Sequence, residues 1–206
     1  MSANTYIIGL TGGIGCGKSE AAKYLESLGA IHVDADAISH ELTAENGKAL
    51  PAIRAAFGDG LFLPDGNLNR KAMAERIFSD KTARTQLEAI LHPLVQKRAL
   101  QMIDAAGDDE IVILDVPLLF ECAMDVLCDE VWVMTLPPAM QLERLRLRDG
   151  LSEEQARSRI KAQMPAEERN ARATRLIDTS RSIERTRTEL GELYKAAVKT
   201  AKNSRG

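Results

Sequence analysis

Short apolar runs alternate along the chain with longer segments in which apolar residues recur every three or four positions. The apolar runs predict about five strands, at residues 6–11, 31–34, 111–115, 131–134 and 176–178. Strands of this kind, separated by helical segments, are typical of a parallel sheet that helices cover on both faces. The pattern therefore predicts the α/β class, in which ligands bind beyond the carboxyl ends of the strands.

A long helical segment lies between the second and third predicted strands. Residues 37–110 contain no convincing strand, and the pattern predicts a turn at residues 64–66 and a helix break at His92-Pro93. A segment of this length is too large for a crossover loop. We therefore predict a helical insertion over the strand ends, where an acceptor molecule could be held.

The chain becomes rich in arginine after the fourth predicted strand. A helix at residues 140–148 carries Arg144 and Arg148 one turn apart, and Ser152 with Gln155 predicts a capping box for the next helix. Two short arginine-bearing helices with a glycine hinge are typical of a lid that closes over phosphates. The alternative is a solvated face with exchangeable ion pairs. That alternative is favoured for any single arginine, and function is favoured for at least one of Arg144 and Arg148.

A glycine-rich segment follows the first predicted strand and precedes a helical pattern. It matches the phosphate-loop motif G-x-x-x-x-G-K-S/T at every defined position. Glycines let consecutive backbone N–H groups point inward as an anion nest, and a helix N-terminus directs its positive dipole end to the same place. The predicted ligands of the nucleotide phosphates are Gly12, Gly13, Ile14, Gly15, Cys16, Gly17, Lys18 and Ser19.

Three acidic residues follow predicted strands. Asp115 ends an apolar strand in the manner of a Walker B acid and would hold Mg²⁺ with the Ser19 hydroxyl, and the equally favoured alternative is a strand-end cap. Asp34 and Asp36 straddle another strand end. Two acids facing a phosphate loop repel each other unless a cation or an acceptor hydroxyl is bound there, so one of them could orient that hydroxyl. The alternative is an N-cap pair for the helix beginning near Ala37, which can coexist with catalysis.

Composition narrows the classes of partner. The chain has 206 residues and a formal net charge of −3, so nothing in its bulk charge favours nucleic acid. It has no apolar run approaching the ~20 residues of a membrane span and no signal-peptide pattern. Its 3 cysteines fit neither a disulfide framework nor a zinc site, which favours the cytoplasm.

These features favour a phosphotransferase that carries its own lid. The competing class is a GTPase-type switch, which normally carries an Asn-Lys-x-Asp segment that this sequence lacks. A mechanical ATPase would usually be larger. The residues alone leave the acceptor open, with an adenylate, gluconate or shikimate equally plausible.

Six segments of the chain together form a specific pattern of order and spacing: GLTGGIGCGKS, VDADAISHEL, LHPLV, DVPLLFE, QLERLRLRDGLSEEQARSRIKAQM and LIDT. In this pattern the chain resembles the bacterial dephospho-CoA kinase family. The resemblance covers residues 7–177. It implies a P-loop NTPase fold with a nucleotide-binding core (1–36, 111–138 and 174–206), a helical acceptor-binding insertion (37–110) and a lid (139–173).

The resemblance also implies an activity. It implies transfer of phosphate from ATP, with Mg²⁺, to the 3′-hydroxyl of the ribose of dephospho-CoA, the last step of CoA biosynthesis. The expected assembly is a monomer or a small homo-oligomer.

Site residues follow from the same resemblance. Asp36 is expected to be the catalytic carboxylate, supported by Lys18, and Arg148 to reach ATP from the lid. The positions expected near the acceptor are Asp34, Asp36, His92, Leu118, Glu121 and Gln163. The chain departs from the family pattern at His40, Thr174 and Thr179, and none of these positions bears on phosphoryl transfer itself.

Overall fold

A computed structural model of the protein describes residues 5–107 and 110–203. Five strands form one sheet in this part of the chain, in the order β2-β3-β1-β4-β5. β1 pairs in parallel with β3 and β4, and β4 pairs in parallel with β5. The α/β class predicted from the apolar runs is confirmed. The strands are β1 (Tyr6–Gly12), β2 (Ile31–Asp34), β3 (Ile111–Asp115), β4 (Glu130–Thr135) and β5 (Arg175–Asp178).

Nine helices alternate with these strands in the described residues. Their bounds are α1 (Lys18–Ser27), α2 (Ala35–Leu42), α3 (Leu50–Phe57), α4 (Arg70–Ser79), α5 (Lys81–Asp104), α6 (Pro138–Asp149), α7 (Glu153–Lys161), α8 (Ala166–Ala171) and α9 (Ile183–Asn203). No helix among the described residues has both the length and the apolar character needed to cross a bilayer.

The chain divides into two compact units. One contains the residues up to Val33 and those from Ile103 onward, and the other is Asp34–Met102. In the first unit, buried residues of β1, β3, β4 and β5 pack with those of α1 and α9 into one core. Because helices cover both sheet faces, the central strands are apolar at nearly every position. This core fixes the ends of β1 and β3, where the candidate site begins.

The Asp34–Met102 unit is helical. Its buried side chains come from α2 to α5 and include Ile38, Ile53 and Met73. Near the turn after α3, the Arg54 guanidinium stacks over the Phe62 ring at 3.9 Å and pairs with Asp59. The long segment without predicted strands is therefore helical, as its periodicity indicates.

The break predicted at His92-Pro93 is wrong. α5 runs without interruption from Lys81 to Asp104 with Pro93 inside it. An internal proline removes one backbone hydrogen bond and costs roughly 3 kcal/mol. Leu87, Val95 and Ala99 are buried on either side of the proline, and burying such side chains contributes about 1.5–3 kcal/mol for each large one. Tertiary packing therefore overrides the local preference.

The arginine-rich region follows the prediction in part. The predicted Ser152–Gln155 capping box is present, with both of its hydrogen bonds, at the start of α7. The six-residue helix α8 was not predicted, because so short a segment shows no usable periodicity.

We predict that Ile113→Ala lowers the free energy of unfolding by about 2–5 kcal/mol, because it leaves a cavity in the middle of the sheet. Ile113 is 0% exposed. Urea unfolding can be followed by the fluorescence of Trp132, the sole tryptophan, which is buried in the same core. The matched control is Ile183→Ala, at a side chain that is 59% exposed, which should change stability by less than about 0.5 kcal/mol. Equal effects of the two substitutions would contradict the described core.

Candidate active site at the ends of β1 and β3

The glycine-rich segment forms the turn from β1 into α1. β1 ends at Gly12 and α1 begins at Lys18. Gly15 and Gly17 have φ values of 78° and 82°, a left-handed conformation that side chains with a Cβ rarely adopt. Gly17 is the N-cap of α1, so the positive end of that helix dipole faces the turn. This is the backbone arrangement of an anion nest.

Two glutamines hold the loop at Ile14. The Ile14 N–H donates to Gln163 Oε1 at 2.8 Å, and Gln141 Nε2 donates to the Ile14 carbonyl at 2.8 Å. The resemblance placed Gln163 near the acceptor, and in the structure its side chain accepts a hydrogen bond from the phosphate loop. Gln141 was missed. The sequence feature that could have identified Gln141 is its position four residues before Leu145, which places a polar side chain on the buried face of α6.

Gly13 lies directly against side chains of α6 and α8. A Cβ at this position would stand 2.7 Å from Gln141 Nε2 and 3.0 Å from Arg169 Nη2. The first distance is shorter than real Cβ contacts and the second is unusually tight. A larger residue at Gly13 would therefore displace the ends of the Gln141 and Arg169 side chains.

The lysine of the loop pairs with the acid at the end of β3. Lys18 Nζ donates to Asp115 Oδ1, and His32 Nε2 lies 3.3 Å from Asp115 Oδ2. Asp115 is 3% exposed. Burial by itself raises the pKa of this carboxyl, but the His32 hydrogen bond and the Lys18 charge outweigh burial, so the pKa lies below its usual value. Asp115 is therefore an ionised, buried carboxylate next to the phosphate loop.

The donor set at this place fits a magnesium ion. Ser19 is exposed in the first turn of α1, and its hydroxyl is an oxygen donor. Asp115 supplies an ionised carboxylate. Hard oxygen donors, few in number, are what Mg²⁺ takes from proteins when phosphates and waters complete its shell.

The two predicted lid arginines have different partners. Arg144 Nη2 donates to the Thr179 carbonyl at 2.6 Å, next to the end of β5. Arg148 is exposed and donates to both carboxylate oxygens of Asp149, at 2.7 and 2.9 Å. This hydrogen-bonded pairing raises the pKa of Arg148 and lowers the pKa of Asp149. Arg144 is therefore built into the first unit, whereas Arg148 sits in a solvent-exposed ion pair.

The segment after β3 contacts the residues that follow α7. Glu121 Oε1 accepts a hydrogen bond from the Met164 N–H at 3.2 Å. Leu118 is half-buried, and its carbonyl accepts from the Cys122 N–H at 2.9 Å. Because Gln163 bonds to the phosphate loop and Met164 to Glu121, two adjacent residues connect two of the predicted binding segments.

The remaining predicted site residues lie in the Asp34–Met102 unit. Asp34 is the N-cap of α2, and its Oδ1 accepts from the N–H groups of Asp36 and Ala37 at 2.8 and 3.1 Å. Asp36 is exposed in the first turn of that helix, and His92 is exposed on α5. The N-cap alternative therefore holds for Asp34. Asp36 contributes its backbone N–H to that cap, whereas Asp34 contributes its carboxylate, so the two acids differ in their local roles.

The fold and the loop define an α/β protein of the P-loop class. The dephospho-CoA kinase family model matches residues 6–185, and the chain belongs to that family. A dephospho-CoA kinase of Moorella thermoacetica is 47% identical over 186 residues, which cover 88% of this chain and 87% of the relative.

Solved structures show the same fold. A protein of Thermus thermophilus superposes with a TM-score of 0.77 at 30% identity, covering 94% of this chain and 98% of that one. A dephospho-CoA kinase from Campylobacter jejuni superposes with a TM-score of 0.66 at 28% identity, covering 95% and 98%. The family resemblance inferred from the six sequence segments is confirmed.

We predict that Asp115→Asn destabilises the protein at pH 7 and that the difference from the parent shrinks in acid. A carboxyl with a lowered pKa in the fold stabilises it above the unfolded pKa of about 3.9, and this contribution is lost as the pH falls through the folded value. Urea unfolding of both proteins at pH 7 and near pH 3 measures the effect. Glu154→Gln, at an exposed carboxylate of α7, is the control. A difference for Asp115→Asn that does not depend on pH would refute the assigned ionisation.

Proposed function

We propose that the protein transfers the γ-phosphoryl group of ATP to the 3′-hydroxyl of the ribose of dephospho-CoA, giving CoA and ADP in the last step of CoA biosynthesis. The observation that carries this proposal is the match of the dephospho-CoA kinase family model to residues 6–185. The phosphate loop, with Lys18 next to the ionised Asp115, supplies the chemistry that the family requires.

The proposed nucleotide site is the loop from Gly12 to Ser19. Its amides and the dipole of α1 would hold the phosphates, and Lys18 would add a mobile charge at the β- and γ-phosphates. Ser19 and Asp115 would hold Mg²⁺, which when bound neutralises charge on the transferring phosphoryl group. Arg144 is proposed to contact ATP from the position that its bond to Thr179 gives it.

Lys18 is proposed to change partners when ATP binds. In the described structure it pairs with Asp115, which keeps a lysine and a carboxylate of low exposure from standing unpaired. A polyphosphate carries several negative charges and competes for the ammonium group. His32, already bonded to Asp115, would then remain as a partner of that carboxylate.

The 139–173 segment is proposed to act as a lid. Arg148 would leave Asp149 to reach the phosphates. Because the Arg148 side chain is exposed and Asp149 also pairs with Arg159, separating Arg148 from Asp149 costs little. Closure would also exclude water, which competes with the acceptor for the phosphoryl group.

The acceptor is proposed to bind the helical insertion at residues 37–110 with its ribose toward Asp36. Asp36 would orient the attacking hydroxyl and take its proton. The proposed contacts of the acceptor are Asp34, His92, Leu118, Glu121 and Gln163. The nucleotide-binding core would comprise residues 1–36, 111–138 and 174–206.

We place the protein in the cytoplasm as a monomer or small homo-oligomer, with ATP and dephospho-CoA rather than nucleic acid or membrane as its partners. The three cysteines are free thiols, which suits a reducing compartment. The formal net charge of −3 favours no polyanion.

ADP release in a coupled assay tests the proposed function across a panel of acceptors. We expect release with dephospho-CoA and only a slow water-dependent background with shikimate, gluconate or AMP. The phosphorylated product should carry its new phosphate on the 3′-oxygen. Turnover of another acceptor in preference to dephospho-CoA would reject the proposed substrate.

We predict that Asp36→Asn lowers kcat by about 10²–10⁴-fold, the usual contribution of a positioned general base, and leaves the Kd for ATP within about twofold. Asp34→Asn is the comparison at the neighbouring acid. Asparagine is as good an N-cap as aspartate, so an effect of this variant on the KM for the acceptor would report the proposed acceptor contact and not a loss of the cap. Steady-state kinetics and calorimetric ATP titrations measure both quantities. If Asp34→Asn abolishes turnover and Asp36→Asn does not, the roles of the two acids are reversed.

A further inference from the structure

Arg169 is a buried cation next to the phosphate loop. It lies within the proposed lid segment, residues 139–173, but it is not one of the two arginines expected to reach the phosphates. It lies in α8 and is 6% exposed. Its Nη1 donates to the Met164 carbonyl at 3.0 Å, and its Nε has no hydrogen-bond partner. Among residues 5–107 and 110–203, no ion pair joins Arg169 to a carboxylate.

A buried arginine without an ion-pair partner destabilises the fold. A buried charge without a counter-ion destabilises a protein, whereas an apolar side chain of similar size in its place is often neutral or stabilising. Packing alone therefore does not explain a guanidinium at this position. A ligand that supplies negative charge next to Arg169 would explain it.

The phosphate loop is the element that Arg169 faces. Its Nη2 lies 3.0 Å from the position that a Cβ of Gly13 would take. The loop is held next to Arg169, because Gln163 and Gln141 hydrogen-bond to the N–H and the carbonyl of the next residue, Ile14. In the described structure the Arg169 charge therefore already lies against the loop, whereas Arg148 is exposed and paired with Asp149.

The thiol of Cys16 responds to the same charge. Its Sγ lies 3.3 Å from the Cβ position of Gly13. Burial raises the pKa of Cys16, and the positive charge of Arg169, followed by that of Arg144, acts in the opposite direction. The field of Arg169 therefore extends into the middle of the phosphate loop.

We propose that Arg169 is a positioning residue that gives the phosphate loop a fixed positive charge, so that nucleotide affinity rises with the number of phosphate charges. This role rests on the proposed use of the loop for ATP. Arg169 would act by holding the Gly13–Ile14 backbone in place and by long-range electrostatic attraction of the phosphates. Neither effect requires a contact between Arg169 and the nucleotide. The electrostatic attraction between Arg169 and a nucleotide grows with the charge of the phosphates and does not depend on the nucleotide base.

The test is a calorimetric measurement of Kd for adenosine, AMP, ADP and ATP with four proteins: the parent, Arg169→Met, Arg169→Lys and Arg172→Gln. Arg169→Met keeps the volume and removes the charge. Arg169→Lys restores the charge. Arg172→Gln is the matched control, because Arg172 lies three residues further on, pairs with Asp125 at 2.8 Å and stacks on Phe120.

We expect Arg169→Met to raise the Kd for ATP by about 10-fold and the Kd for ADP by less. The Kd for adenosine should stay within about twofold of the parent value. Arg169→Lys should recover most of the ATP affinity, and Arg172→Gln should match the parent with all four ligands. Thermal unfolding of Arg169→Met should match or exceed that of the parent, because an unpaired buried charge has been removed.

Three outcomes would overturn the proposal. The first is that Arg169→Met weakens the binding of all four ligands equally, and the second is that it leaves all four Kd values unchanged. The third is that Arg169→Met and a further variant, Arg169→Gln, both fail to fold, which would make the role of Arg169 structural. Failure of the proposed function looks different. In that case the parent itself would bind ATP no more tightly than adenosine.

Discussion

The phosphate loop must keep one backbone conformation, and its own residues are too flexible to maintain that conformation without outside contacts. Left-handed glycines permit the turn, but they also make it flexible. The Gln141 and Gln163 side chains remove this freedom by bonding the carbonyl and the N–H of Ile14. A preorganised set of dipoles stabilises charge without reorganising during the reaction. Helix α6, which carries Gln141, and the segment after α7, which carries Gln163, therefore support the loop without bringing a charge to it.

Three cations that differ in exposure take part in the proposed function. Arg169 is buried next to the loop, Lys18 is paired with Asp115, and Arg148 is exposed and paired with Asp149. In the proposed function Arg169 attracts the polyphosphate, Lys18 exchanges Asp115 for it, and Arg148 reaches it from the lid. The Gln163–Met164 pair, which bonds to Ile14 and to Glu121, links the phosphate loop to the segment after β3.

Much of this could be predicted from the sequence, for identifiable physical reasons. Apolar runs such as residues 111–115 and the complete phosphate-loop motif are local signals, and the structure places both as predicted. The break at Pro93 was predicted wrongly because packing on both sides of the proline overrides its local cost. Gln141 and Arg169 were missed because a polar side chain reveals burial only through its tertiary partners.

The most direct test of the account is a crystal structure with Mg²⁺ and a non-hydrolysable ATP analogue. The account predicts the β- and γ-phosphates inside the loop of residues 12–19, with the Lys18 ammonium moved from Asp115 to phosphate oxygens. Nucleotide bound away from this loop, with Lys18 still paired to Asp115, would contradict it.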